Sequence, residues 1–172
     1  MQRTVKNKIC RLIIVLAVIA AGAFGISRLN IETVDEHKEI NKGGELKATI
    51  KISCGTLLDK EIKDKEHFNS DGIILDSTQY GMDKGDTVFD LLKKAVRDND
   101  IQMEYKGGKS IYVEGIDYIY EFDYGELSGW MYKVNGVFPG VGCGNFEVKD
   151  GDEVEFLYTC DLGRDVGNEY KE

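Results

Sequence analysis

Residues 129–142 read GWMYKVNGVFPGVG and hold the single Trp and the single Pro of this 172-residue chain. The first part, 130–134, alternates large apolar side chains with other residues, which is typical of a half-buried strand. The Asn-Gly pair at 135–136 favours a tight turn with positive φ. A Gly-rich loop around Phe138-Pro139 follows. The stretch predicts a hairpin, and its aromatic loop is a candidate ligand-facing edge.

Charge is unevenly distributed along the chain. Residues 1–28 carry five of the 22 Lys and Arg and no acidic residue, so the remainder sets 17 basic against 31 acidic side chains. Such a surface repels phosphate backbones, which argues against nucleic-acid binding. It also argues against docking on an anionic membrane surface. Membrane contact is therefore expected only through the N-terminal segment.

Residues 1–28 have the features of a signal peptide or a membrane anchor. Four basic residues precede an unbroken apolar run at 12–26, fifteen residues long. A helix of that length spans about 22 Å, short of a hydrocarbon core of roughly 30 Å, which favours a signal peptide. Apolar residues continue beyond the small-x-small site at 21–23, and Arg28 then flanks them, which favours an anchor. Both alternatives predict an N-terminal hydrophobic helix and an extracytoplasmic domain, either secreted or tethered to the cell membrane.

The rest of the chain divides by composition into a linker, a domain and a tail. Residues 29–45 are polar and end near a Gly-Gly pair, so they are predicted to be a linker. Residues 46–167 are predicted to form one domain, and residues 168–172 a polar tail.

Periodicity within the domain predicts strands on both sides of one helix. The helix is predicted at 86–99 with Asp86 as its N-cap, and its apolar stripe consists of Val88, Leu91, Leu92, Ala95 and Val96. Strands are predicted at 46–53, 73–75, 102–105, 110–114, 116–122, 130–134 and 153–159. This order predicts an α+β, β-grasp-like domain with one main helix packed on a mixed sheet and the last strand beside the first.

Motifs for catalysis are poorly supported. Gly108-Lys109-Ser110 lacks the first glycine of a phosphate-binding loop, and no helix is predicted after it. Only two histidines exist, His37 and His67, and neither lies near another candidate base or ligand in the sequence. We therefore predict no catalytic residue, no metal site and no resident cofactor. A hydrolase that uses a pair of the many carboxylates is the enzymatic alternative.

Three cysteines lie within the domain: Cys54, Cys143 and Cys160. No C-x-x-C pair occurs, and an odd number allows at most one bridge within the domain. If the first and last strands are parallel neighbours, Cys54 and Cys160 both follow strand ends on the same side. That arrangement favours a Cys54–Cys160 disulfide, with Cys143–Cys160 second and three free thiols as the alternative.

Residues 125–136, the Phe138-Pro139 pair and residues 158–167 (YTCDLGRDVG) together resemble the transcobalamin-like C-terminal domain. Bacterial surface and secreted proteins carry this domain as one of unknown function. Residues 85–92 (GDTVFDLL) resemble its helix start. The resemblance covers roughly 46–167 and implies a β-grasp-like fold.

The resemblance also implies a ligand. In transcobalamin and intrinsic factor the related domain closes over one face of cobalamin while a helical domain holds the rest. Residues 1–172 show no counterpart of the helical domain, so a corrinoid is expected to bind weakly or not at all. Carried over position by position, the implied ligand-facing residues are Trp130, Tyr132, Asn135, Phe138, Pro139 and Gly140.

The expected function is that of an exported, non-enzymatic binding module at the cell surface or in the medium. Its ligand would be a corrinoid or another flat molecule, or else a surface glycan or protein. The alternative is a structural or protein-interaction module that uses an exposed strand edge and binds no small molecule.

Overall fold

The computed structural model describes residues 44–60, 69–107 and 110–168. The predictions for 1–28, for most of the linker and for most of the tail lie outside these residues. Within them, no helix is long and apolar enough to span a membrane. The same residues form one α-helix and seven strands: β1 Leu46–Ser53, β2 Ile73–Met82, α1 Val88–Asp98, β3 Met103–Lys106, β4 Tyr112–Ile116, β5 Ile119–Tyr120, β6 Gly129–Val134 and β7 Glu153–Thr159.

The main sheet has four strands in the order β2-β1-β7-β6. Its two central strands, β1 and β7, run parallel with Ile50 opposite Val154 and Ile52 opposite Phe156. The outer strands β2 and β6 pair antiparallel with them. The sheet is therefore mixed, and the last strand lies beside the first, as the sequence predicts.

The core lies between the main sheet and α1. Every second residue of β1 is buried from Ala48 onward, and β7 buries its own alternate positions. All five residues of the predicted apolar stripe of α1 are buried, together with Phe89. Each such side chain contributes roughly 1.5–3 kcal/mol on burial, so this interface is the main source of stability in an α+β domain.

The N-terminus of α1 differs from the prediction by one residue. Thr87, not Asp86, is the N-cap, because the Thr87 Oγ1 accepts a hydrogen bond from the Asp90 N–H at 3.3 Å. The Asp90 carboxylate in turn accepts from the Thr87 N–H at 2.9 Å, which completes a capping box. Asp86 instead accepts from the Asp83 N–H at 2.8 Å in the preceding turn.

A second, antiparallel sheet has the order β3-β4-β5. The single strand predicted at 116–122 is wrong, because β4 ends at Ile116 and a two-residue turn follows. Asp117 and Tyr118 have φ values of 52° and 62°, and Phe122 has 66°, so the chain leaves the extended conformation twice. Tyr118 and Phe122 are consequently 53% and 62% exposed.

The predicted Cys54–Cys160 disulfide is not formed, and all three described cysteines are free thiols. The premise of parallel neighbouring strands is right, but the register is offset. Ser53 lies opposite Leu157, which leaves Cys54 two residues short of Cys160 along the strand direction. The Cys54 Sγ donates to the Gly72 carbonyl oxygen at 3.6 Å instead. Burial raises the pKa of Cys54 to about 12, so it stays protonated.

Candidate functional site

A groove with a volume of about 540 Å³ separates edge strand β6 from the beginning of β4. Its first wall comes from β6, its second from residues 111–113, and the loop 138–143 closes one side. Among the described residues that line it, none carries a charge, and five have aromatic rings. The lining consists of Ile111, Tyr112, Val113, Trp130, Met131, Tyr132, Phe138, Pro139, Gly140, Val141, Gly142, Cys143, Phe156 and Asn168.

Trp130 is fixed in the first wall by two contacts. Its indole Nε1 donates to the Ile119 carbonyl oxygen at 2.8 Å, which satisfies the only polar atom of the ring. The ring packs edge-on against Tyr158, with centroids 5.3 Å apart. Because both contacts lie on the protein side, the half-buried ring keeps a defined orientation beside the groove.

Tyr132 connects β6 to the loop. Its ring stacks on Phe156 with centroids 5.8 Å apart and planes inclined by 25°. Its hydroxyl donates to the Val141 carbonyl oxygen at 2.7 Å. Burial, reinforced by the neighbouring Cys143, raises the pKa of Tyr132 to about 12, so the hydroxyl stays a neutral donor that holds the loop.

The tight turn predicted at 135–136 is present. Val134 and Val137 exchange hydrogen bonds in both directions, at 2.9 and 3.0 Å, across Asn135 and Gly136. These two turn residues have φ values of 50° and 78°, which the Asn-Gly pair adopts readily. The turn brings the chain back along β6, so that Phe138 and Pro139 line the groove.

The loop approaches the second wall closely at Gly144. A Cβ atom on this residue would lie 2.5 Å from the Cγ1 of Ile111, so only glycine permits the observed packing without a shift. On the same wall, the Tyr112 hydroxyl donates to Glu121 at 2.5 Å. The groove is thus held at both walls by specific contacts.

A buried hydroxyl connects the two sheets behind the groove. Tyr158 on β7 is fully buried, and its hydroxyl lies 2.7 Å from the Tyr120 carbonyl oxygen on β5. The same hydroxyl is 2.9 Å from the Ser128 Oγ. Because the two groove walls belong to different sheets, this contact helps to fix their separation.

Five of the six implied ligand-facing residues line this groove: Trp130, Tyr132, Phe138, Pro139 and Gly140. Asn135 does not line it. Its Nδ2 donates to Asp152 at 2.9 Å, and its Oδ1 accepts from the Glu153 N–H at 2.9 Å. Asn135 therefore fastens the turn to the start of β7, which is a structural role. The second wall, residues 111–113, was not predicted, since its residues lie in the other sheet and follow no motif.

The chemistry available in the groove is that of neutral groups. Burial raises the pKa of Tyr112 and of Tyr132 to about 12 and that of Cys143 to about 11. In the part of the chain that the structure describes, no three His, Cys, Asp or Glu residues are placed to hold a metal ion. The arrangement offers aromatic surfaces and neutral hydrogen-bonding groups.

Comparison with known proteins gives likenesses of low identity. No curated protein matches the sequence. A structure of haptocorrin in complex with Cbi aligns at 15% identity and a TM-score of 0.47, over 68% of this chain and 25% of that one. The present chain thus spans about a quarter of the haptocorrin chain.

A protein from Ruminococcus gnavus, described as proposed to bind metal, aligns at 15% identity and a TM-score of 0.42, over 67% of this chain and 97% of that one. Neither likeness assigns a ligand to this chain. Residues 85–159, from the turn before α1 to the end of β7, match a family described as a domain of unknown function, DUF4430.

Proposed function

We propose that the chain is an exported, non-enzymatic binding module whose ligand lies in the groove between β6 and residues 111–113. The observation that carries this proposal is the groove itself. Its volume of about 540 Å³ falls within the range of small-molecule sites, roughly 300–1,000 Å³. Aromatic and aliphatic side chains dominate its lining, with few polar groups to orient a ligand. Such a lining suits a flat, largely apolar molecule.

The protonation states of the lining support binding rather than catalysis. General acid–base catalysis is most effective when the pKa of the catalytic group lies near the working pH. The lining groups that could exchange a proton, Tyr112, Tyr132 and Cys143, have pKa values raised by burial to about 11 or 12. At neutral pH all three stay protonated and act as hydrogen-bonding groups.

A corrinoid is the first ligand to test. The resemblance of residues 125–136, 138–139 and 158–167 to the transcobalamin-like domain, and the β-grasp-like arrangement that it implies, motivate this choice. A groove on a single domain buries less of a ligand than a two-domain clamp does, so the affinity of this groove should be modest. Cobalamin is thus proposed as a ligand and not as a cofactor.

Export rests on residues 1–28. Their basic residues, followed by an apolar run, support secretion or tethering, with the domain outside the cytoplasm. A fusion of residues 1–45 to alkaline phosphatase tests this part. Phosphatase activity outside the cytoplasm is expected, and activity that stays absent while the fusion accumulates inside the cell would contradict export.

Trp130 provides the test of ligand binding, since it is the only Trp and it lines the groove. Titration with cobinamide should quench its emission with a saturable curve. Phe138→Ala should weaken binding about tenfold, because it removes an aromatic contact worth roughly 1–2 kcal/mol. The matched control is Val137→Ala, whose side chain is 67% exposed and does not line the groove. Equal affinities for the two variants, or no saturable quenching, would refute the proposal.

A further inference from the structure

Strand β6 forms one edge of the main sheet, and its hydrogen bonds alternate in direction. The Asn135 N–H donates to the Glu153 carbonyl oxygen at 2.8 Å. Every second residue of β6, counted back from Asn135, therefore directs its backbone N–H and C=O groups toward β7. The intervening residues point their backbone groups away from the sheet. Two bonds confirm this: Val134 bonds outward to Val137, and the Ser128 carbonyl oxygen accepts from the Phe122 N–H at 3.1 Å.

Between these two outward contacts lie Trp130 and Tyr132. Their N–H and C=O groups point outward by the same alternation, and no other residue in the described ranges hydrogen-bonds to them. The groove also reaches both faces of the strand, because its lining includes Met131 as well as Trp130 and Tyr132. A groove can contact both faces only where it passes the strand's edge. The backbone of Trp130–Tyr132 is therefore an open sheet edge.

This edge lacks the features by which proteins usually block edge strands. The register between β6 and β7 has no bulge, and the strand contains no proline. Its only charged side chain, Lys133, pairs with Glu155 on β7 at 3.1 Å. Nothing in β6 itself opposes the addition of another strand.

We propose that this edge binds a basic, extended peptide segment of another protein, which adds to β6 as a further strand. The basic character follows from charge complementarity. Residues 110–168 contain 12 Asp and Glu against 3 Lys and Arg. One of these carboxylates, Glu121, contacts Tyr112 of the second wall. Lys or Arg side chains on the peptide would meet this field, while its apolar side chains face the uncharged lining.

The geometry favours a single peptide over a second copy of the chain. The second wall stands beside the open edge and leaves a groove of about 540 Å³, which suits one extended segment rather than the edge of another folded domain. Two outward residues provide about four main-chain hydrogen bonds to a partner strand. Because so few main-chain hydrogen bonds form, we expect a transient complex. The register of the peptide on β6 would then depend on every second side chain of the peptide, the ones that face the groove.

The inference shares the groove with the proposed function but does not depend on the chemistry of the small ligand. Cobinamide binding without peptide binding refutes this inference alone. Peptide binding without cobinamide binding refutes the small-ligand proposal alone. Absence of both removes the groove as a binding surface.

The test uses the full chain and a blocked heptapeptide in which Lys alternates with Val, with Trp130 emission and isothermal calorimetry as readouts. Two derivatives carry N-methyl groups on alternate residues, one on the odd and one on the even positions. Because only every second amide of an added strand faces β6, one derivative should lose at least about tenfold in affinity. The other should bind within about threefold of the parent.

The same peptide with Glu in place of Lys is the charge control and should bind at least about tenfold more weakly at low salt. Equal effects of the two N-methyl derivatives, or equal affinity of the acidic peptide, would overturn the proposal. Sedimentation equilibrium separates the alternative occupant. A dimer that the peptide dissociates would show that a second copy, and not a peptide, occupies the edge.

Discussion

Replacing Tyr158 by Phe removes one oxygen atom from the buried contact between the two sheets. The hydroxyl lies 2.7 Å from the Tyr120 carbonyl oxygen and 2.9 Å from the Ser128 Oγ. Ser128 keeps its bond to the Gly125 carbonyl oxygen at 2.8 Å, whereas this contact to the Tyr120 oxygen is lost. No cavity larger than one oxygen atom forms, so packing changes little.

The magnitude follows from these partners. The Tyr120 carbonyl oxygen keeps the Asp123 N–H as a donor at 3.3 Å, so it is not left unsatisfied. The lost hydrogen bond contributes about 1 kcal/mol, and the free energy of unfolding should fall by about that amount. With a urea m-value of about 2 kcal/mol/M for a domain of this size, the unfolding midpoint should fall by about 0.5 M.

Urea titration followed by Trp130 emission measures this change, because Trp130 packs against Tyr158. The matched control is Tyr105→Phe. The side chain of Tyr105 is 45% exposed, and within the described residues its hydroxyl has no hydrogen-bond partner, so the midpoint should move by less than about 0.3 M. If both variants unfold at the wild-type midpoint, the buried contact does not hold the sheets together.

Three further outcomes are expected. The free energy of unfolding should fall from about pH 9 to pH 12, because burial raises the pKa of Cys54 to about 12 and that of Cys143 to about 11, above the thiol value of about 8.5 in an unfolded chain. Burial also raises the pKa of Tyr132 and of Tyr158 to about 12, so the unfolded chain releases these phenol protons before the folded chain does. Urea midpoints recorded against pH measure how steeply stability falls, and Tyr158→Phe should make this decrease shallower. Thr87→Ala should lower the free energy of unfolding by about 1 kcal/mol through loss of the capping box, whereas Thr78→Ala, at an exposed hydroxyl, should change it by less than about 0.5 kcal/mol. Gly144→Ala should displace Ile111 and alter cobinamide affinity by about threefold or more. Gly107→Ala is the control and should leave the affinity unchanged, because a Cβ atom there would meet no neighbouring atom. Identical binding constants for the two variants would show that the loop contact does not shape the groove.

The sequence was informative wherever one face of an element is buried. Alternation placed β1 and β7, and helical spacing placed the stripe of α1, because burial on one side imposes the period of the element. The Asn-Gly pair predicted the turn after β6 for a local reason, its tolerance of positive φ. These features depend only on residues close in sequence or on the burial of one face of an element against the core.

The remaining differences arise from contacts between distant residues. Strand β2 extends to Met82, beyond the predicted end at residue 75. Polar residues follow Leu75 and break the apolar pattern, so the sequence does not indicate that the strand continues. Positive φ at Asp117 and Tyr118 ends β4 without a Gly to signal it. Likewise, the role of Asn135 depends on Asp152, and that contact follows from the pairing of β6 with β7.

The candidate site likewise has one part that the sequence predicts and one part that it does not. The first wall and most of the loop lie in one continuous stretch, 129–142, which stands out in the sequence through its Trp and its Phe-Pro pair. The second wall comes from residues 111–113, which the topology of the other sheet brings beside β6. A sequence pattern predicts faces of elements, but it does not predict which two faces enclose a groove.

Amide chemical shifts recorded during a cobinamide titration show whether a ligand occupies the groove between β6 and residues 111–113, with the single Trp130 indole N–H as an unambiguous reporter. Saturable shifts should be concentrated at residues 111–113, 130–132 and 138–143, and β2 on the opposite edge of the sheet should be unaffected. Shifts that cluster elsewhere, or none at high micromolar concentration, would contradict binding in this groove.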